Sequence, residues 1–495
     1  MNRRKPIQIA CLCLLLLTLS LLFAGCASKQ EASASISTTE DLNGRKMGCM
    51  SGSIFDQNIA ESFPKSEIVY FSSRAELLLG LKSGKIDGFL SDEPVAMLFK
   101  AENDDVTYMD AAIGQVDYGI CFSSDAAPKL EEFNEFLAEI KASGHLQELQ
   151  KKWICPEGLE EKVPEIKLTG ENGTIRAVTT PDAAPFSFFK DQVYEGYEVE
   201  ILTEFCEKYG YALQVDGTTF DALISSVASN KYDIAFNGIY ITEERKKSVD
   251  FCDVTYTANV VPVIRKEGAA VKENFFESVK NSFSRTFVEE DRWQLILRGM
   301  GITLIITLLS MAFGTVLGYL TMFASRKSKA FKKFADGLSY IVAGLPVVLF
   351  LMILFYIIFA KASLSGTTIS VIGFTIIECM TVYDMLKTGV SAIDNGQYEG
   401  ALALGYTDTQ AFTRIIVPQA IRIILPSYRK EIVTLIKATA IVGYVTVQDL
   451  TRVSDIIRSR TYDAFFPLIV TAVIYFLLAA ILTKLADKLI AKLFP

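Results

Sequence analysis

The chain has 495 residues, half of them hydrophobic, a mean hydropathy of +0.30 and a net charge of −8. That length exceeds one compact domain and implies about two to four. The acidic balance, with no basic stripe interleaved with aromatics, gives no sign of nucleic-acid binding. The single histidine, His145, argues against a histidine-based metal site and reads as a surface helix residue.

In chain order, Arg3, Arg4 and Lys5 precede an apolar run, Ile9–Leu22, and then Phe23-Ala24-Gly25-Cys26. A basic start, a short apolar stretch and small residues read as a secretory signal over residues 1–25. Small residues before a cysteine resemble a bacterial lipobox, which implies cleavage before Cys26 and lipidation of its thiol. An uncleaved signal anchor is the alternative, and on either reading the next segment is translocated. The polar part that follows holds Cys49, Cys121, Cys155, Cys206 and Cys252, an odd number with no CxxC spacing, so free thiols fit better than a disulfide framework.

From Ser37 to Trp153 short β-type runs alternate with helices: Lys46–Met50 and Ile86–Ser91 as strands, Arg74–Lys82 and Lys129–Ile154 as helices. Gly173–Arg265 repeats the alternation, with strands at Ile175–Thr180, Tyr232–Asn237 and Val260–Ile264 and helices at Val199–Lys208 and Asp221–Ser229. Such alternation predicts parallel α/β lobes. A stretch rich in Pro, Gly, Glu and Lys, 156–171, joins the two halves, and 266–290 is a linker.

Residues 291–495 are of another kind. Five apolar segments, about Leu295–Phe323, Leu338–Ala360, Thr368–Met385, Ile424–Val447 and Ala464–Ile490, are each long enough to cross a hydrocarbon layer of about 30 Å. Arg429, Lys430, Glu431 and Lys437 interrupt the fourth. Five basic residues within Arg326–Lys333 place that hairpin in the cytoplasm and everything before Leu295 outside, as the signal requires. Following the crossings puts Gly389–Arg422 and the C-terminus inside. Arg452, Arg458 and Arg460 then fall in an outer connection, against the charge rule unless they sit on a packed external helix.

The inner loop reads Glu399-Gly400-Ala401-Leu402-Ala403-Leu404-Gly405-Tyr406, then Ile415-Ile416-Val417-Pro418. Its spacing resembles the EAA loop of ABC-importer permeases. Gln410-Ala411-Phe412, Pro418-Gln419-Ala420 and Leu425-Pro426 extend the match. A short helix, a glycine turn and a second helix begun near a proline would form a rigid knob. The resemblance implies that it docks on a cytoplasmic ATPase, with Glu399, Ala401, Gly405, Ile415 and Pro418 as coupling positions within residues 389–422. Over Trp293–Pro495 the chain is similar to the polar amino-acid permeases in particular, on Gly443-Tyr444, Gln448-Asp449-Leu450 and Ser454-Asp455-Ile456-Ile457. It departs at Ala343-Gly344-Leu345-Pro346, where the family often has Arg-Gly-Thr-Pro. Asp384 matches an acidic family position; Glu378 does not, and an acid at that depth is costly enough to suggest an aqueous path and an ammonium-bearing solute. No GxxxxGK[ST] occurs, so the ATPase must be a separate subunit, and one set of five helices implies a dimer of permeases.

The polar part resembles the periplasmic-type amino-acid binding proteins, two-lobed α/β domains, but in rotated order. Asp41-Leu42-Asn43-Gly44, Ser51-Gly52-Ser53 and Ser91-Asp92-Glu93-Pro94 match that family's lobe 2. Asp117-Tyr118-Gly119-Ile120 matches the return hinge, and Phe133–Trp153 the terminal helices of lobe 1. Only then come Ala184-Pro185-Phe186-Ser187-Phe188 and Gly238–Arg245 through Val249-Asp250-Phe251, the family's start. The expectation is one circularly permuted domain over 37–265, with 37–120 as lobe 2 and 121–155 plus 172–265 as lobe 1. Two partial domains are the alternative. The resemblance implies that Arg245 grips an α-carboxylate, since a planar guanidinium does so in bidentate fashion, and that Asp92 holds the α-ammonium. By the same resemblance Ser53 and Ile54 form the carboxylate loop, Gly238 offers a backbone carbonyl and Phe220 covers the ligand. Tyr240 stands where the family usually has Ser or Thr, and Asp182-Ala183-Ala184 replaces an aromatic before Pro185, with Asp182 read as a solvated loop residue.

The function this implies is ATP-driven uptake of a polar amino acid across the bacterial cytoplasmic membrane, with binding domain and permease in one chain and no cofactor. A ligand-gated channel or sensing receptor is the alternative. No Ser/His/Asp set, metal cluster or paired-carboxylate motif points to an enzyme.

Overall fold

A computed structural model describes residues 36–71, 73–190, 193–266, 275–362, 364–461, 463 and 466–493. The signal segment, Cys26 and residues 267–274 of the linker lie outside them. Among the described residues the polar part carries two main sheets. The first is built from β1 (Lys46–Met50), β2 (Glu67–Phe71), β3 (Gly88–Asp92), β4 (Val106–Tyr108) and β5 (Gly114–Tyr118), with helices α1 (Phe55–Ser62), α2 (Arg74–Lys82) and α3 (Glu93–Glu102) between the early strands. β6 (Cys121–Phe122) leaves it for the second sheet. Helices α4 (Ala127–Ala142) and α5 (His145–Trp153) follow, then β7 (Thr174–Thr179), a small antiparallel sheet of β8 (Asp182–Ala183), β9 (Ser187–Lys190) and β10 (Val193–Glu195), and α6 (Tyr197–Tyr209). β11 (Ala212–Gly217), α7 (Leu223–Ala228), β12 (Ile234–Ala235), β13 (Asp250–Phe251) and the long β14 (Tyr256–Arg265) complete the part.

The strand orders are β2-β1-β3-β14-β4, with β5 also on β14, and β11-β7-β12-β6-β13. The pairings β1–β2, β1–β3, β7–β11 and β7–β12 are parallel, each needing a crossover helix, which explains the alternation legible in the sequence. Each sheet draws strands from both sides of the 156–171 join. The chain passes between the sheets twice, at 118–121 and at 251–256. One boundary needs correcting. Residues 256–265, expected in lobe 1, pair with β3 from Val260↔Asp92 to Ile264↔Gly88 and so belong to the other lobe. A strand's partner is set by long-range pairing, which its own residues do not reveal.

The second part is helical: α8 (Phe275–Phe283), α9 (Trp293–Lys327), α10 (Lys329–Gly344), α11 (Val347–Ile353), α12 (Gly366–Ser391), α13 (Asn395–Ala403), α14 (Asp408–Gln410), α15 (Val417–Ala438), α16 (Leu450–Thr461) and α17 (Phe466–Leu493). Among the described residues three helices, α9, α12 and α17, are long and apolar enough to cross a membrane, or up to five spans if each of two bent pairs counts as one. The expected second span is one such pair, turned through 111°. Leu345 before Pro346 is extended (φ −94°, ψ 134°), because a proline pushes the preceding residue out of the helical region. In the fourth, α15 continues through a 3-10 turn, Thr439–Val445, and bends by 58° into α16.

The two parts are packed together. Tyr356 and Phe355 share a hydrophobic cluster with Leu223, Val227 and Tyr232 of the second sheet's lobe. Ser226 donates to the Tyr356 hydroxyl (3.2 Å), Tyr232 to Thr446 (3.1 Å), and Lys231 to the carbonyls of Phe359 and Ala362 (3.1 and 3.0 Å). Arg452 and Arg458, two of the three cations that broke the charge rule, are buried in this seam on α16, which packs on both α2 and β8; the side chain of the third, Arg460, lies outside the described residues. Arg452 donates from Nη2 to the Thr218 carbonyl, and Arg458 lies 3.9 Å from Glu76.

Candidate functional site: an interlobe cleft and a helical knob

Arg245 opens a 3-10 turn, its amide held by the Thr242 hydroxyl at 3.2 Å. Nη1 donates to the Tyr240 carbonyl (2.9 Å) and Nη2 crosses the cleft to the Gly52 carbonyl (3.0 Å). The guanidinium lies near the rings of Phe220 and Tyr240, about 6 Å from each centroid. Burial lowers its pKa, yet a guanidinium stays charged in proteins.

Asp92 ends β3 where α3 begins but makes no helix cap with its side chain. Its two oxygens accept instead from Tyr118 (2.5 Å) and Tyr240 (3.1 Å). Burial pushes both phenols well up, with Asp92 reinforcing the shift, so the hydroxyls remain donors. Tyr240 is thus buried and joins the two sides of the cleft, bound to Arg245 through its carbonyl and to Asp92 through its hydroxyl.

The other expected residues divide. Phe220 lines the cleft. Ser53 is buried, 3.4 Å from the Cys49 sulfur and accepting weakly from the Phe55 amide, and Ile54 precedes the first turn of α1. Gly238 takes φ +60° and packs its Cα against the Phe186 ring, while its amide donates to Glu198 at 2.8 Å. Burial raises the Glu198 carboxyl to about 7. Asp182 is not a solvated loop residue: it lines the cleft, and its carbonyl accepts from Arg74 Nη1 (3.2 Å).

Four residues escaped sequence reasoning. Arg74, Thr219 and Asn237 line a small cavity of about 20 Å³ with Asp182 and Phe220, and so does Arg452 from the membrane part. Burial works against the Arg74 charge, but Asp92 and Asp182 outweigh it and hold its pKa above the usual value. The signal for Arg452 was its violation of the charge rule. Arg74 carries no local motif. His145 is a half-exposed helix residue bonded to Glu148 and Glu204, which raise its pKa. The six described cysteines are free.

At the opposite end stands the knob. α13 ends at Leu404, and Gly405 takes φ +86°, a conformation that other residues adopt only with strain. Its second helix starts at Asp408, capped by Thr407 and Gln410, rather than beside Pro418, which lies inside the continuous run. Residues 411–416 form a π turn just before the proline, whose missing N–H interrupts the helical ladder. Ala401 is buried, Glu399 and Gly405 are exposed, and Ile415 and Pro418 are half-buried. Leu404 at the tip is 82% exposed. Arg326 of the basic hairpin pairs with Asp408 at 3.0 Å and covers the Phe412 ring, so hairpin and knob share one end of the bundle.

In the helical core Glu378 is fully buried on α12 and neither carboxylate oxygen has a hydrogen-bond partner among the described residues. A Cβ on Gly314 of α9 would stand 2.5 Å from its Cβ, so only glycine admits it there. Asp384 accepts from Ser339 of α10.

Comparison with known proteins fits both parts. Residues 175–438, more than half of the chain, match the family described as bacterial extracellular solute-binding proteins, family 3. A Rickettsia bellii protein named for a glutamine transport system permease is 33% identical over 204 residues, 40% of this chain and 92% of that protein. The Bacillus subtilis arginine transport system permease protein is 32% identical over 206 residues, again 40% of this chain and 92% of its own length. Among solved structures, an amino acid ABC transporter with histidines is 29% identical, covers 45% of this chain and 100% of its own, and has a TM-score of 0.38. The chain belongs to the family-3 solute-binding proteins and to the amino-acid ABC transporter permeases, both within one polypeptide.

Proposed function

We propose that this chain is the binding-protein-plus-permease subunit of an importer for a polar amino acid, driven by a separate ATPase and working as a permease homodimer. The observation that carries the reading is the pairing across the cleft. Arg245 on one lobe and Asp92 on the other are bound to opposite ends of Tyr240, which suits an α-carboxylate and an α-ammonium respectively. Gly52, next to Ser53 and Ile54, accepts from Arg245, and Phe220 lies against its guanidinium; on this reading Ser53, Ile54 and Gly238 complete the carboxylate end.

The binding module is one circularly permuted domain, with lobe 2 first. In support, each sheet takes strands from both sides of the 156–171 join, and the family match begins at Ile175 rather than near Ser37. The module lies outside the cell, tethered by Cys26 and by the linker. The basic hairpin and the knob lie inside, where Glu399, Ala401, Gly405, Ile415 and Pro418 meet the ATPase. Ligand closes the lobes on the membrane part, and hydrolysis elsewhere opens the path inward.

The test is ATP hydrolysis by the full chain with its partner ATPase in liposomes. A polar amino acid should stimulate it several-fold, and Arg245→Gln should abolish the stimulation. Ligand-evoked ion current without stimulated hydrolysis would instead favour a gated channel.

A further inference from the structure

The residues expected to grip an amino acid already grip this chain itself. Arg245 donates from Nη1 to the Tyr240 carbonyl (2.9 Å) and from Nη2 to the Gly52 carbonyl (3.0 Å), two carbonyl oxygens where a carboxylate would offer two. Asp92 accepts from the hydroxyls of Tyr118 (2.5 Å) and Tyr240 (3.1 Å), two donors where an ammonium would offer up to three. Tyr240 therefore touches both ends of the site at once. Its buried ring is packed as well, with centroids 5.3 Å from Phe55 and 5.2 Å from Tyr118.

The space agrees. The cavity beside these residues has about 20 Å³, room for roughly one water, whereas small-molecule sites offer about 300–1,000 Å³. An amino acid cannot be added to this arrangement; it has to replace part of it. The contacts it must replace are also those that tie the lobes, since Tyr240 and Arg245 stand on one lobe and Asp92 and Gly52 on the other. Phe55 meets Tyr240 across the same gap, and Arg74 reaches the Asp182 carbonyl at 3.2 Å.

We propose that Tyr240 is an internal competitor for the solute: its hydroxyl occupies Asp92 and, together with Arg245 on Gly52, latches the lobes shut, so that this residue sets how tightly the module binds. This rests on the reading of Arg245 and Asp92 given above. A ligand's apparent affinity is its intrinsic affinity scaled by the fraction of modules whose site is free, so each bond in the latch weakens binding. A Ser or Thr at this position, usual in the binding proteins the chain resembles, lacks the ring that carries the hydroxyl across the gap. The same latch acts at release. The module is packed on its own permease through α16, so a departing solute meets the same cleft again. Tyr240 returning to Asp92 opposes that rebinding.

The experiment is calorimetric titration of the full chain in lipid nanodiscs, wild type and Tyr240→Phe, with L-glutamine, L-glutamate, L-arginine and L-serine, and thermal unfolding measured in parallel. Tyr240→Phe removes one hydrogen bond to a carboxylate and keeps the ring. It should tighten binding of the best of these amino acids about tenfold, because that bond no longer has to be broken, while lowering the unfolding temperature of the ligand-free chain. A side chain that only supports the fold would lower both affinity and unfolding temperature, and one whose hydroxyl touches the solute would weaken binding. Unchanged or weaker affinity in Tyr240→Phe therefore overturns the latch and leaves the amino-acid cleft standing. Binding seen in Tyr240→Phe and not in wild type supports the latch. No binding of any of the four by either form overturns the cleft and the latch with it.

Discussion

The binding module and the helical part differ most at one buried carboxylate: each satisfies others, as the helical part does Asp449 with the Thr451 and Arg452 amides and the Tyr475 hydroxyl, and the module leaves one oxygen of Glu198 unpartnered among the described residues. In the module, Asp92 accepts from two tyrosines, Asp233 pairs with Arg176 and Lys129, and Glu200 holds Lys152 and the Trp153 indole. In the helical part Glu378 is fully buried with both oxygens unpartnered among the described residues. A group that costs stability and remains must be used elsewhere. The contrast teaches where each part works: the module at a cleft whose Asp92 is paired, the bundle at a carboxyl that no neighbour among the described residues satisfies.

The strongest way to break this comparison is at Arg245. Its replacement by Gln should weaken amino-acid binding at least about 100-fold, since two charge-assisted bonds are lost, measured by calorimetry on the full chain. Retained affinity would mean the cleft's satisfied charges are structural only. Next comes the knob. Gly405→Val forces a β-branched residue into φ +86°, at a cost of about 1–2 kcal/mol. Ligand-stimulated ATP hydrolysis should fall about tenfold while ligand affinity is unchanged; a parallel loss of affinity would show that the knob supports the fold instead.

Two smaller effects sharpen the contrast. Glu378→Met replaces an unsatisfied buried carboxyl with an apolar side chain of similar size and should raise the unfolding temperature by about 2–4 °C, while uptake declines. Glu378→Gln with normal uptake would remove any role for this group in handling the solute's ammonium. Glu198 supplies a pH signature. Its ordinary pKa of 4.5 is raised to about 7 by burial. Below pH 4.5 the carboxyl is neutral in folded and unfolded chains alike. Between that value and about 7 the unfolded chain ionises and the folded one keeps its proton, so stability falls as pH rises, by about 3 kcal/mol in all. Denaturation of Glu198→Gln should lack this slope; an unchanged slope would place its origin elsewhere.

Much of the fold was legible because it rests on local periodicity. Alternating strands and helices announced two lobes, and the apolar runs announced the bundle. What escaped depends on distant partners. Strand Tyr256–Arg265 looked like its sequence neighbours yet pairs with β3. Pro346 turned an apolar run of spanning length into a bent pair. In the site, motif spacing pointed to Arg245, Asp92 and Tyr240, which the fold brings together. Arg74, Thr219 and Asn237 meet only when the lobes close, and Arg452 joins them only when two unlike parts of the chain pack together. Arginines on the wrong side of the charge rule, Arg452 and Arg458 among them, were the trace of that seam.

The central claim is that one two-lobed module, in rotated order, presents an amino-acid cleft to its own permease. Its most direct test expresses residues 36–266 alone and titrates them with the common amino acids. The account predicts a cooperatively folded fragment that binds an amino acid through Arg245. A fragment that does not fold, or affinity untouched by Arg245→Gln, would contradict it.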